Sequence, residues 1–309
     1  MNHLERLQGI FPPMATPFRE QRLDLDAVKF NLERMNQTGV RGVMPLGSNG
    51  EFRAINDAES VKLIQTVRAC LSPDKTLIAG AGRDSAYYTV ETVKMIADAG
   101  ADYVSVVTPH YFADKMSDDA LCQYYEYVAD RSPVPVLLYC VPVYAGGVVI
   151  SYSAVKRLAQ HDNIVGMKDT TKEDISGYIA AGQDGAEFHV LAGTIKKLLG
   201  GLKLGAVGGV LSVAVYLPQL CVDLWNLYQS GQMEAAEALS VKLISLSKQL
   251  TDTSAVSGVK SAMTLMGYYG GEPRLPLLPL TQEQIQQQRE VLTQAGLLEG
   301  LKGEDRICM

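Results

Sequence analysis

Short apolar runs alternate along this chain with stretches in which apolar positions recur every three to four residues. The runs at 9–15 (GIFPPMA), 42–47 (GVMPLG), 76–80 (TLIAG), 103–107 (YVSVV), 134–140 (VPVLLYC), 163–168 (NIVGMK), 188–192 (FHVLA) and 205–210 (GAVGGV) predict strands. Between them the helical period predicts helices over about 25–38 after Asp24, 57–70 after a cap at Asn56 or Asp57, 86–99 up to Gly100, 117–130 from Ser117, 151–161, 173–181 and 195–203. Eight strand-then-helix units argue for a parallel sheet. With no break in the series, they predict an α/β fold of the closed (β/α)8 TIM-barrel kind rather than an open doubly wound sheet. The stretch "GAGRDS" at 80–85 opens like a dinucleotide-binding turn but lacks the third glycine, so it reads as a tight strand-to-helix turn.

After residue 212 only helical signals remain, over about 213–229, 232–250, 256–267 and 281–296. They are interrupted at 267–280 by the Gly/Pro-rich stretch "GYYGGEPRLPLLPL". The first of them completes the barrel, giving a barrel over 1–229 and a C-terminal helical extension over 230–309.

With 309 residues, 47% of them hydrophobic, the chain can bury a large core. Its 28 basic and 34 acidic residues leave a net charge of −6 with no basic cluster, which argues against nucleic acid and anionic membranes as partners. Small molecules or copies of the same chain fit better. No apolar run is long enough to span a bilayer, and the opening "MNHLERLQGIFPPMATPF" has no secretory pattern. Five scattered cysteines (Cys70, Cys122, Cys140, Cys221, Cys308) without CxxC spacing predict reduced thiols and a cytoplasmic protein. Neither they nor His3, His110, His161 and His189 have metal-ligand spacing, so no metal is expected.

In a barrel, chemistry gathers where the strands end. The sixth run ends on Lys168 and the fifth carries Tyr139 near its end. Neighbouring strands lie about 4.8 Å apart, so the two side chains are within reach of one another. The second run leads into Gly47, Ser48 and Asn49, and the fourth into Thr108 and Tyr111. Taken singly, a lysine closing an apolar run is most often a surface residue with its stem on the protein. Tyr139 alone would be a rim tyrosine, Tyr111 a packing aromatic and "GSNG" a turn. Together they supply a specific chemistry. A primary amine in a dry pocket loses basicity and can attack a ketone. The resulting iminium is an electron sink that lets an adjacent C–C bond form or break, while a phenol relays protons. The 47–50 loop adds N–H and hydroxyl donors for a carboxylate beside the ketone. The expected substrate is a 2-oxo acid.

The strings "TPF" (16–18), "GSNGE" (47–51), "TPHYF" (108–112), "YCVP" (139–142), "GMKDTT" (166–171), "LAGT" (191–194), "GAVGGV" (205–210) and "GYYGG" (267–271) resemble, in order and over nearly the whole chain, the pyruvate-dependent class I aldolases. This is the N-acetylneuraminate lyase and dihydrodipicolinate synthase superfamily, and within it the strings are most similar to 4-hydroxy-2-oxoglutarate aldolase. The resemblance implies a lyase in which Lys168 forms the Schiff base and Tyr139 is the acid/base. It implies that Ser48 links Tyr139 to Tyr111 in a proton relay, with Tyr111 reaching in from a neighbouring subunit. Ser48 and Asn49 would hold the pyruvate carboxylate, and Thr170, Gly193 and Leu211 would line the pocket. It further implies a homotetramer built as a dimer of dimers, pyruvate with a small aldehyde or 2-oxo acid as partners, and no metal or organic cofactor.

One position departs from the pattern. Dihydrodipicolinate synthases carry an arginine five residues after the strand-five tyrosine, where it clamps a carboxylate of the second substrate. Here "YCVPVYAGG" has Tyr144, which favours cleavage of 4-hydroxy-2-oxoglutarate to pyruvate and glyoxylate over the synthase reaction. An aldolase for 2-keto-3-deoxy sugar acids, with Thr170, Thr194 and Tyr144 binding hydroxyls, is the runner-up. A non-catalytic metabolite-binding homologue is disfavoured because Lys168, Tyr139, Ser48 and Tyr111 are all present.

Overall fold

The computed structural model describes residues 2–183, 185, 187–251 and 254–298. The end of the expected extension, 299–309 with Cys308, therefore lies outside the described residues. Eight parallel strands form one sheet: β1 (Gly9–Phe11), β2 (Gly42–Val43), β3 (Thr76–Gly80), β4 (Tyr103–Val107), β5 (Val136–Cys140), β6 (Ile164–Asp169), β7 (His189–Ala192) and β8 (Gly208–Val210). Their spatial order is β1-β8-β7-β6-β5-β4-β3-β2. The two ends of that series meet through Arg41 N–H to the Ile10 carbonyl (2.9 Å), Met44 N–H to Pro12 (2.9 Å) and Met14 N–H to Met44 (3.0 Å), which closes the barrel. Here β1 and β2 are far shorter than the apolar runs that predict them. Pro12, Pro13 and Pro45 have no N–H to give a ladder, and Leu46 turns the chain at φ 58°.

Each strand feeds a helix: α1 (Leu25–Asn36), α2 (Asp57–Cys70), α3 (Ala86–Asp98), α4 (Asp118–Ala129), α5 (Tyr152–Leu158), α6 (Ile175–Gly182), α7 (Ile195–Leu204) and α8 (Pro218–Gln229). The starts follow cap chemistry. The side chains of Asp24, Ser117 and Ser151 each accept a first-turn N–H, and Asn56 with Glu59 forms a capping box. The expected helix over 213–229 is divided, with a 3-10 turn at Ser212–Val215 and α8 beginning on Pro218, a residue suited to a helix's first position.

Apolar side chains fill both faces of the sheet. Phe11, Met44, Ile78, Tyr103, Leu137, Val165, Leu191 and Val210 pack inside the barrel, while a larger cluster lies between the strands and the helices. Three further helices, α9 (Met233–Thr251), α10 (Ala255–Leu265) and α11 (Gln282–Gln294), form the C-terminal extension. Of these α9 packs on α7 and α8, and α11 on α9. The Gly/Pro-rich stretch returns to the barrel, where Asn31 of α1 exchanges two hydrogen bonds with the backbone of Tyr269 (2.9 and 2.8 Å). A short N-terminal helix (His3–Leu7) and a small hairpin (Phe18–Arg19 with Arg22–Leu23) are additions that the apolar pattern does not predict. Among the described residues no helix is long and apolar enough to cross a membrane.

Candidate active site

The pairing of β5 with β6 shifts by one residue between Val136 and Leu137, whose partners are Ile164 and Gly166. This extra residue in β6 resets its alternation. Val165 faces the barrel interior, Met167 faces the helices, and Lys168 faces inward again, opposite Tyr139. Lys168 is 5% exposed, and its Nζ lies 4.2 Å from the centre of the Tyr139 ring. Among the described residues it has no ion-pair partner.

The aspartate that follows goes the other way. Asp169 is fully buried, and its Oδ1 accepts from the Thr171 N–H (2.8 Å) and hydroxyl (2.7 Å). Its Oδ2 pairs with Lys197 Nζ of α7 at 2.5 Å. Adjacent Lys168 and Asp169 are therefore kept apart by strand alternation, and the carboxylate is neutralised by a different lysine. Sequence reasoning missed Lys197, whose partner is 28 residues away.

The Tyr139 hydroxyl lies 3.3 Å from Ser48 Oγ, within reach of a weak hydrogen bond. Ser48 and Asn49 sit in a turn closed by Gly50 N–H to the Gly47 carbonyl (3.0 Å) and Glu51 N–H to Ser48 (3.1 Å). Among the described residues, neither the Ser48 N–H nor the Asn49 N–H has a partner. Two adjacent free N–H groups beside a hydroxyl form a cradle for an anion. The Asn49 side chain donates instead to Ser212 Oγ (2.9 Å), which fastens the turn to the segment after β8. Buried Leu211 precedes Ser212 and gives its N–H to the Phe11 carbonyl (3.1 Å).

Thr170 and Gly193 also meet. The Gly193 N–H donates to the Asp169 carbonyl (2.7 Å), and a Cβ on Gly193 would stand 2.1 Å from Thr170 Oγ1. Only glycine permits that approach. Thr170 Oγ1 is buried without a hydrogen-bond partner. A narrow cavity beneath the mouth is bounded by Gly47, Phe52, Gly82, Ser105, Val107 and Tyr139. A second cavity, at the opposite end of the barrel beside Phe188 and His189, contains none of these groups.

The remaining expected residues lie at the rim. Tyr144 sits in a 3-10 turn (Pro142–Tyr144) and is 55% exposed, yet partial burial and then the nearby Tyr139 push its pKa up. It remains a neutral phenol at neutral pH. Tyr111 is not brought to the pair: it is 78% exposed, edge-on to Phe112 at 5.0 Å. Asp84 pins its loop by accepting the N–H groups of His110 (2.7 Å) and Tyr111 (2.9 Å). Cys140, next to Tyr139, is no rival nucleophile, since burial pushes its thiol up to about 11. Chemically, the mouth offers one buried amine, one phenol in contact with it, and an anion cradle joined to that phenol by a hydroxyl.

The model of the Dihydrodipicolinate synthetase family matches residues 6–295. The 4-hydroxy-tetrahydrodipicolinate synthase of Methanothrix thermoacetophila is 32% identical over 296 residues, covering 95% of this chain and 98% of that one. Among solved structures, the dihydrodipicolinate synthase of Thermotoga maritima superposes with a TM-score of 0.89 at 30% identity, covering 95% of this chain and all of that one. A prophage protein of the dihydrodipicolinic acid synthase family from E. coli K12, solved in complex with pyruvate, gives 0.87 at 29% identity, covering 94% and 99%.

Proposed function

Because the chain belongs to the dihydrodipicolinate synthetase family, and is thereby a pyruvate-using class I lyase that works through a Schiff base, we propose that Lys168 is its nucleophile. In this scheme Nζ attacks the C2 carbonyl of pyruvate and water leaves, giving an iminium. Loss of a C3 proton forms an enamine, whose C3 adds to the aldehyde carbon. Hydrolysis then frees the product and the amine. The reverse sequence cleaves a 4-hydroxy-2-oxo acid. Tyr139 moves the protons, Ser48 passes them outward, and the free N–H groups of Ser48 and Asn49 hold the carboxylate. The observation that carries this is the pairing of buried Lys168 with Tyr139 across two strands, with Nζ 4.2 Å from the ring centre.

Two aldehydes have support. The activity named for the relatives, 4-hydroxy-tetrahydrodipicolinate synthase, favours aspartate semialdehyde. Tyr144, in place of the synthase arginine, favours an aldehyde without a distant charged group, and so 4-hydroxy-2-oxoglutarate as the compound made or cleaved, with glyoxylate as partner.

Pyruvate with borohydride tests the nucleophile. The expected outcome is one adduct per chain, on Lys168, and none in Lys168→Ala. Undiminished labelling of Lys168→Ala would sink the assignment.

A further inference from the structure

The turn that carries Ser48 and Asn49 ends on Glu51, whose carboxylate points away from the mouth. Glu51 is 6% exposed and held in the left-handed region at φ 54°, a conformation that a non-glycine residue keeps only where its surroundings hold it there. Its Oε1 lies 2.6 Å from Lys260 Nζ of α10, and its Oε2 accepts the Arg274 N–H (2.8 Å). Lys260 is 1% exposed and also donates to the Glu272 carbonyl (2.9 Å). The Arg274 guanidinium donates to the carbonyls of Gln21 (3.0 Å) and Ala54 (2.5 Å), and to both oxygens of Glu59 (2.8 and 2.5 Å). Phe18 lies against both cations, 4.5 Å from Lys260 Nζ and 4.2 Å from Arg274 Cζ. On the turn's other side, Thr16 donates its hydroxyl to the Gly50 carbonyl (2.7 Å).

A charge pair this deeply buried is a weak source of stability, because desolvation offsets most of the attraction. Geometry is what it secures. Without Lys260 the Glu51 carboxylate would be left buried and uncompensated, and the least costly relief is for the end of the turn to rotate it towards water. The two free N–H groups two and three residues earlier would rotate with it.

We propose that Glu51, Lys260, Arg274 and Thr16 are positioning residues for the substrate carboxylate: they hold the 47–50 turn from behind, so that the C-terminal extension sets the affinity for pyruvate. This rests on the reading of that turn as the pyruvate carboxylate site. None of the four touches substrate, so they act on binding more than on the bond-making step. Misaligning one donor to a charged group should raise half-saturation about tenfold to a hundredfold.

The test measures borohydride trapping against pyruvate concentration, together with thermal midpoints, for the full chain. Lys260→Met is expected to raise the pyruvate concentration at half-maximal trapping at least about tenfold, with the maximal yield kept. Removing both charges, in Glu51→Gln/Lys260→Met, should bring it back close to wild type. Thr16→Val, which is isosteric and loses only the hydroxyl, should raise it severalfold. It carries the test alone if Lys260→Met does not fold. Leu292→Ala, which opens a cavity in the extension at a residue that makes none of these polar contacts, should lower the midpoint and leave half-saturation unchanged. Folded Lys260→Met or Thr16→Val with wild-type half-saturation would overturn the proposal, as would an equal rise in Leu292→Ala. Absence of any adduct in the wild-type chain would instead overturn the pyruvate assignment on which it rests.

Discussion

At Tyr144 a phenol stands where the synthase pattern places a guanidinium. The phenol has one donor and no charge, whereas arginine offers a planar fork that grips both oxygens of a carboxylate. Burial and Tyr139 both raise the Tyr144 pKa, so its hydroxyl stays protonated and can donate at neutral pH. A donor of this kind can serve a short aldehyde acid but forgoes the charge-assisted contact, worth about 1.5–3 kcal/mol, that a longer one would use. Tyr144→Arg is therefore expected to shift kcat/KM at fixed pyruvate towards aspartate semialdehyde over glyoxylate, by about tenfold to a hundredfold. An unchanged ratio would remove Tyr144 from specificity. Wild-type preference for aspartate semialdehyde would leave the synthase activity of the relatives as the better description. The two neighbouring charges of β6 divide their labour at the same scale, Lys168 facing a ring and Asp169 facing Lys197.

Among the elements, the loop ends after β6 and β7 meet most tightly at Gly193. A Cβ there would fall 2.5 Å from the Asp169 carbonyl as well as on Thr170 Oγ1, so Gly193→Ala must displace the end of the strand that carries Lys168. A shift of about 1 Å at reacting groups can cost a hundredfold in rate. The expected loss in kcat is roughly tenfold to a hundredfold in a folded protein. Gly200→Ala is the control: nothing lies within 4 Å of the added methyl, and a helix position gains about 0.5–1 kcal/mol from alanine. Equal kcat values in the two variants would show that this contact does not position the site. Sequence alone locates these elements well where apolar runs end at glycines or charges. The strands at 76–80 and 103–107 match in full, and the run that carries Tyr139 ends on Cys140 as expected, whereas the strand that carries Lys168 continues one residue further, to Asp169. It locates them poorly where the backbone departs from regular geometry. The hairpin after Phe18 turns on Glu20 and Gln21 at φ 48° and 64°, residues that carry no turn signal, and the one-residue shift in β6 leaves no mark in composition.

Over the whole molecule, the contacts hardest to foresee are those between distant segments. Glu51 stands inside a recognisable motif, yet its hydrogen-bonding partner Arg274 is 223 residues away, and no local pattern announces a buried pair. Tyr111 poses the converse problem, since its expected partners are close in the mouth but its ring faces solvent. Phe112 (65%), Val143 (75%) and Tyr144 (55%) are exposed with it. The two loops bearing these residues touch, because a Cβ on Gly146 would lie 3.0 Å from Ala113. Asp84 fixes the backbone beneath Tyr111, and its ring is left exposed rather than turned to Ser48. A second copy of the chain docking on this apolar rim would bury the aromatics and exchange tyrosines, one Tyr111 completing the relay of its partner. Two inactive variants then become complementary. Tyr111→Phe chains keep a working lysine and Lys168→Ala chains keep a working tyrosine, so each mixed dimer holds one complete site. Random exchange of equal amounts should restore about a quarter of wild-type activity, above the sum of the separate variants. Activity equal to that sum, with exchange verified by tagged chains, would mean that each barrel works with its own residues alone.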